Sequence, residues 1–394
     1  MASPIPIPIS QAPGPAAAKP VPFGVNEVRL DARQWTAAFL IVAAVLMLVP
    51  WIWARLERFA TGPDYRLPYT LSKDYWLYGR RVEQVTGCDK VLLIGDSVVW
   101  GEYVAPDGTL SHFLDGQSGA TNRFVNLGLN GLFPLAQEGL IRYYGRAIRR
   151  EKVLLQFNFL WLTSPKADLS SEKEQRFNHA GLVPQFAPRI PCYRADANDR
   201  LSIVVQRNIP FLQWVAHIQN TCFDQKSVPG WTLAMDDGSP PRCLNSCRNP
   251  LSQISLIVPS APVDDPERGP KSSRHKPWSA DGQGGVRHEW VELDASVQWH
   301  AFQRLVSELR ARGNAVFVVV GPFNEHMLAA DNKTTYRRLR EETGAWLTQA
   351  QVPHVAPETL PGELYADASH PLTQGYELLA KEICATPQFQ DWIK

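Results

Sequence analysis

Along most of the chain, short apolar runs that stop at glycine alternate with longer segments whose apolar residues recur at helical spacing. KVLLI (90–94) stops at Gly95. RFVNLGLNG (123–131) and KVLLQFNFLWL (152–162) follow the same form. AVFVVVGP (315–322) is the clearest, with apolar residues from Ala315 to Val320 and then a Gly-Pro stop. Runs of this length, rich in branched residues, predict strands buried on both faces of a parallel sheet. Between them, LAQEGLIRYYGRAIRR (135–150) aligns Leu140, Tyr143, Tyr144 and Ala147 on one helical face. SVQWHAFQRLVSELRARG (296–313) repeats Trp299, Phe302, Leu305 and Leu309 and ends at Gly313. Strands alternating with helices predict an α/β domain on a mainly parallel sheet.

Two regions depart from this rhythm. Residues 165–290 interleave Pro, Gly, Ser and charges, with one short helical patch at FLQWVAHIQ, and read as a long irregular insertion on one side of the α/β core. At the other end, residues 1–33 are Pro- and Ala-rich without periodicity and read as a disordered tail. Gln34 to Ala54 then carries no charge. A helix of this length crosses the hydrocarbon of a bilayer. Trp35, Trp51 and Trp53 stand at its ends, where aromatic rings favour the interface, and Arg33 and Arg55 fence it. The long tail and long apolar span favour a retained anchor over a cleaved signal peptide. Lys19, Arg29 and Arg33 before the span balance Arg55, Arg58 and Arg66 after it, so flanking charge does not orient it. The expected organisation is a tail (1–33), a transmembrane helix (34–54), a juxtamembrane linker (55–87) and a domain from 88 to 394.

Composition narrows the function. Lys plus Arg is 40 and Asp plus Glu is 39, a balance that argues against a protein built to grip nucleic acid. Of the cysteines Cys88, Cys192, Cys222, Cys243, Cys247 and Cys384, four fall between 192 and 247. That clustering suits disulfides stapling the insertion in an oxidising compartment, in a pairing that spacing leaves open. Cys243-x-x-x-Cys247, with Cys222 or a nearby His, fits no strong zinc pattern, so no metal is expected. No phosphate loop or dinucleotide glycine pattern calls for a cofactor.

The chemistry concentrates in two stretches. In LLIGDSVVWGE (92–102) a buried strand stops at Gly95, and Ser97 stands at the start of the next helix. Unpaired N–H groups at a helix start suit a nucleophile that generates an oxyanion, although Asp and Ser are also common N-caps. In ELYADASHPLTQGYELLAKEI (363–383), Asp367 precedes His370 by three residues. A serine nucleophile needs a base, and the base needs an orienting carboxylate. Glu325-His326, after the Gly-Pro stop, reads as an exposed loop with the option of lining the same pocket.

These residues resemble the SGNH, or GDSL-type, hydrolases over roughly 88–164 and 296–384. Gly95-Asp96-Ser97 matches that family's nucleophile block, and Asp367-Ala368-Ser369-His370-Pro371 its acid-and-base block. Gly131, five residues after Asn126, matches its oxyanion glycine, and Asn158 its oxyanion asparagine. The third block departs: the family usually has Gly-x-Asn-Asp, and this chain has Gln156-Phe157-Asn158-Phe159. The resemblance implies a three-layer α/β/α sandwich. It implies a triad of Ser97, His370 and Asp367, and an oxyanion hole of Ser97, Gly131 and Asn158. The implied protein is a membrane-anchored serine esterase facing away from the cytoplasm, in a bacterial envelope. It would act on small acyl esters, particularly acetyl on cell-envelope carbohydrate, without a cofactor. Two rivals remain: an O-acetyltransferase of exported polysaccharide working with a multispanning membrane partner, and a catalytically inactive carbohydrate-binding scaffold.

Overall fold

A computed structural model describes residues 30–62, 64–233, 247–258, 276–282 and 284–394. The expected disordered tail up to residue 29, Cys243, and most of the Pro- and Ser-rich part of the insertion lie outside these residues. The chain divides into two units after Leu48. The first unit is essentially the leading part of helix α1 (Ala32–Leu56), a little longer at both ends than the apolar stretch suggests. Its 25 residues, with a mean hydropathy of 2.4 over an 18-residue window, make it long and apolar enough to cross a membrane. Trp35, Phe39, Ile41 and Met47 are exposed along it.

The second unit is α/β. Its elements, in chain order, are α2 (Tyr75–Val85), β1 (Val91–Ile94), α3 (Ser97–Trp100), α4 (Leu110–Gln117), β2 (Phe124–Asn126), α5 (Pro134–Tyr143) and β3 (Lys152–Phe157). Within the insertion come α6 (Ala197–Asn208) and α7 (Pro210–Cys222). Then follow α8 (Val297–Ala311), β4 (Ala315–Val320), α9 (Ala330–Gln349), β5 (His354–Val355), α10 (Thr373–Ala385) and α11 (Pro387–Ile393). The five strands form one parallel sheet in the order β2-β1-β3-β4-β5. A separate parallel pair joins Arg58–Phe59 to Ile257–Val258.

Side chains alternate across a strand, so a sheet buried on both faces needs apolar residues at every position. Leu92, Ile94, Leu155, Phe157 and Val318 face one core, with helices α2, α5, α8 and α9 packed over it. Val91, Leu93, Leu154, Phe317 and Val319 face the other, covered by α3, α4, α10 and α11. Order 2-1-3-4-5 has the chain leave β1 toward one side and return to β3 on the other. Ligands of such sheets gather at the carboxyl ends beside this switch.

Several boundaries differ from expectation. The helix read over 135–150 ends at Tyr143, because the chain turns through Gly145, which packs directly against Ile141. The 55–87 segment is part of the folded unit and not a linker, since Tyr65, Leu67, Leu71, Leu77, Tyr78 and Val82 lie in the first core. Arg66, 1% exposed, donates to the carbonyls of Trp100 and Val104 at 2.8 Å and of Gly101 at 2.6 Å. The insertion is also less irregular than its composition suggests: it carries α6 and α7 and sends Leu182, Val183, Ile190 and Tyr193 into the core. Cys88, Cys192, Cys222, Cys247 and Cys384 are free thiols, so no disulfide staple joins the described cysteines.

What holds the insertion instead is charge. His217 on α7 is fully buried; its Nδ1 meets Asp74 Oδ2 at 2.7 Å and its Nε2 meets Glu57 Oε1 at 2.8 Å. A carboxylate only accepts, so both ring nitrogens carry protons and the ring is an imidazolium. Burial opposes that charge, but Asp74 and Glu57 outweigh it and push the pKa up to about 9. Trp76 packs on the ring at 4.4 Å between centroids, and Arg80 pairs with Glu57.

This cluster stabilises the fold fully below the ordinary histidine pKa of about 6.5, and the contribution fades as pH rises through about 9. His217→Ala should cost about 3–5 kcal/mol at neutral pH by leaving buried Asp74 without a cationic partner and Glu57 with Arg80 alone. Urea denaturation at pH 7 and pH 10 checks this: the wild type should lose more stability between the two than the variant does. Parallel losses would mean that His217 is not charged.

Candidate active site

The turn after β1 is shaped by contact. A Cβ on Gly95 would come within 2.3 Å of Val99 Cγ2, so no side chain fits there. Asp96 then caps α3, its Oδ1 accepting from Val98 N at 2.9 Å. Its Oδ2 accepts from Asn158 Nδ2 at 2.8 Å and Trp161 Nε1 at 2.9 Å. Burial raises the Asp96 pKa against these three donors and His370. Ser97 opens α3 and is 5% exposed.

The loop after β2 lies directly on α3. Asn126 Nδ2 donates to Val99 O at 2.7 Å. A Cβ on Gly128 would stand 2.4 Å from Trp100 N. Gly131 has φ +66°, a left-handed conformation that costs a side-chain-bearing residue roughly 1–2 kcal/mol. Among the described contacts, neither the Ser97 nor the Gly131 backbone N–H finds an acceptor within the protein.

The base arrives from the loop between β5 and α10. Asp367 Oδ1 accepts from the backbone N–H of Ser369 at 2.9 Å and of His370 at 3.0 Å, which folds the loop around the carboxylate. His370 Nδ1 meets Asp367 Oδ1 at 2.8 Å, and its Nε2 meets Ser97 Oγ at 2.8 Å. Since Nδ1–H donates to a carboxylate, the neutral ring has a bare Nε2 that accepts from the serine hydroxyl. Tyr376 on α10 donates to Val98 O at 2.7 Å, tying the base's helix to the nucleophile's. Residues separated by 273 positions are thus brought into contact.

The electrostatics follow. Burial works against the His370 imidazolium, but Asp367, Glu102 and Asp96 together raise its pKa above the ordinary value. Burial works against the Asp367 anion too, yet His370 and the two backbone N–H donors hold its pKa below the usual range. The pair therefore suits a base that gains a proton while its partner stays ionised. Asn158 is at the site with one amide N–H spent on Asp96, and its Oδ1 accepts from Leu160 N at 2.9 Å.

Four residues here, Glu102, Asn130, Tyr103 and His179, were assigned no role from the sequence. Glu102 Oε2 lies 3.6 Å from His370 Nε2 and accepts from Asn130 Nδ2 at 2.7 Å. Tyr103 packs edge-on to the His370 ring at 5.3 Å with φ +71°, a strained conformation for a bulky residue. His179, from the insertion, meets the carbonyl of Asn130 at 2.8 Å. Only Glu102 had a local cue, as the one acidic residue just past the Gly-Asp-Ser turn. Glu325 and His326 are engaged elsewhere, with Arg337 and Thr359 and with Leu360 O respectively. No group able to hold a metal occurs among the described residues. No protein-family model matches the chain, and a search of curated proteins returns no match.

The Glu102 charge favours the His370 imidazolium, so Glu102→Gln should lower the His370 pKa, and Asp367→Asn should lower it further. NMR titration of the ring protons reads both. An unchanged titration in Glu102→Gln would remove Glu102 from the site's electrostatics.

Proposed function

We propose that this chain is a membrane-anchored serine ester hydrolase of the SGNH type, acting on small acyl esters, acetyl above all, carried on cell-envelope carbohydrate. The observation that carries the reading is the contact series Ser97 Oγ, His370 Nε2, His370 Nδ1, Asp367 at 2.8 Å for each step. The order 2-1-3-4-5, with the site at the carboxyl ends beside the β1/β3 switch, supports an SGNH-type sandwich. Ser97 and His370 are only 5% and 6% exposed, which favours a small acyl group. The half-buried Tyr103 ring beside His370 offers a flat surface on which a sugar could stack. α1 supplies the anchor. We place the domain outside the cytoplasm on its substrate chemistry alone, since free thiols at Cys192, Cys222 and Cys247 lend no support to an oxidising compartment.

In this mechanism His370 Nε2 takes the Ser97 proton as Oγ attacks the ester carbonyl. The negative oxygen of the tetrahedral intermediate accepts from the Ser97 and Gly131 N–H groups and from the second amide hydrogen of Asn158. One such donor is worth about 2.7–4 kcal/mol of barrier. Asp367 and Glu102 stabilise the imidazolium. His370 then protonates the leaving alcohol, and the acyl-serine is released to water, which His370 activates in turn.

With the full chain in detergent, p-nitrophenyl acetate should turn over, and Ser97→Ala should lower kcat by roughly 10⁴-fold or more. The raised His370 pKa places the acidic limb of the pH–rate profile above the ordinary histidine value, with activity lost as pH falls through it. A fluorophosphonate should label Ser97. A folded wild type that neither hydrolyses nor labels would sink the reading, and acyl transfer to an added glycan at the expense of hydrolysis would replace it with the transferase.

A further inference from the structure

We infer that His179 is a positioning residue for the oxyanion hole: from the insertion, it clamps the Asn130–Gly131 peptide so that the Gly131 N–H is held toward the reacting centre. The inference rests on the acyl-serine reading above. It is carried by three contacts and one rule of peptide geometry.

His179 is 4% exposed. Its Nε2 lies 2.8 Å from the carbonyl oxygen of Asn130, which can only accept, so Nε2 carries the proton. Its Nδ1 lies 2.9 Å from Tyr75 Oη. Burial holds the ring pKa down to about 4, so the ring is neutral at working pH, and Nδ1 must be the acceptor of the Tyr75 hydroxyl. One tautomer therefore satisfies both partners, and Tyr75 selects it.

The Asn130–Gly131 peptide is trans, and in a trans peptide the C=O and the following N–H point in opposite directions. Fixing the Asn130 carbonyl on His179 therefore turns the Gly131 N–H away from the insertion. β2 ends at Asn126, so the Asn130–Gly131 peptide lies beyond its ladder and no sheet pairing sets its plane. The other side of the same residue is held as well: Asn130 Nδ2 donates to Glu102, the carboxylate beside His370. Asn130 thus links the peptide that bears the oxyanion donor to the charge that tunes the base, and His179 fixes its far end. Donors that are already oriented stabilise a developing charge without reorganising, which is where this kind of catalysis gains its rate.

The test uses the full chain in detergent with p-nitrophenyl acetate. His179→Ala should lower kcat about 10- to 100-fold, less than the roughly 100- to 1000-fold for outright loss of one oxyanion donor, while KM changes less than about twofold. His179→Gln, whose amide N–H can reach the Asn130 carbonyl, should recover most of the rate. Tyr75→Phe should give a smaller fall in kcat, since the ring stays but its tautomer is no longer selected. The acidic limb of the pH–rate profile should stay in place in all three, because no partner of His370 changes. A folded His179→Ala with wild-type kcat overturns the inference. So does a loss that tracks melting temperature and that His179→Gln does not restore, which assigns His179 to packing. If the wild type itself neither turns over nor labels at Ser97, the acyl-serine reading fails and the inference falls with it. That result is distinct from an active wild type with indifferent variants.

Discussion

Asp96 is a carboxylate buried between parallel strands, and the reactive corner is built around satisfying it. An unpaired charge there would cost several kcal/mol. Its two oxygens collect three donors: one from the first turn of α3, which it caps, and two from the segment that leaves β3. The same hydrogen bonds that pay for its burial therefore lock the nucleophile's helix to Asn158. Gln156 adds a weaker tie, its Oε1 lying 3.4 Å from Asp96 N. This gives physical sense to the sequence Gln156-Phe157-Asn158-Phe159. Gln156 occupies the space beside Gly95 where a side chain cannot go, Phe157 fills the first core, and Trp161 supplies the indole donor. The neighbours of Asn158 differ from the family pattern but form a self-consistent set.

The candidate site residues were legible in sequence where chemistry and local pattern coincide. A strand that stops at glycine before Asp-Ser, and an Asp three residues before a His, each leave a short signature, and the apolar runs placed them at the strand ends. The parallel sheet was legible for the same reason: Ala315–Val320 and Val91–Ile94 are buried on both faces and so are apolar throughout. The insertion was opaque because its anchoring is not local. His217 is one histidine on an amphipathic helix until Glu57 and Asp74, 160 and 143 residues away, close on it. His179 stands in a polar stretch, RFNHAG, that looks solvated, and only tertiary contact buries it. The cysteine argument failed because clustering in sequence does not bring side chains together in space. Cys192 is buried in the first core while Cys222 packs in a separate cluster with Phe223 and Trp231.

The segments outside the expected catalytic blocks therefore do specific work. Arg66, in the stretch read as a linker, donates to three carbonyls at the end of α3 and stacks on Trp100 at 4.0 Å. It fixes the turn from which Glu102 and Tyr103 reach His370. On the other side, Asp74 caps α2 through Leu77 N and also holds His217. α2 begins with Tyr75, whose hydroxyl selects the His179 tautomer. One capped helix start thus joins the buried charge cluster to the Asn130–Gly131 peptide. The contacts run from Glu57 through His217, Asp74 and Tyr75 to His179, Asn130 and Gly131.

That continuity bears on where the folded domain begins. Glu57 belongs to the His217 cluster, Trp53 donates to Glu57 at 3.1 Å, and the Trp53 ring meets Trp214 edge-on at 5.8 Å. Arg80 closes the set by donating to Ala54 O at 2.6 Å. A chain cut after residue 57 would keep Ser97, Asp367 and His370 but leave a buried imidazolium with one carboxylate and Arg80 with none. The triad would be present in such a fragment, while the support of the oxyanion loop would rest on a weakened α2–α7 contact. Ser97, Asp367 and His370 are local to the strand ends, but the contacts that support their surroundings extend to the last turn of α1.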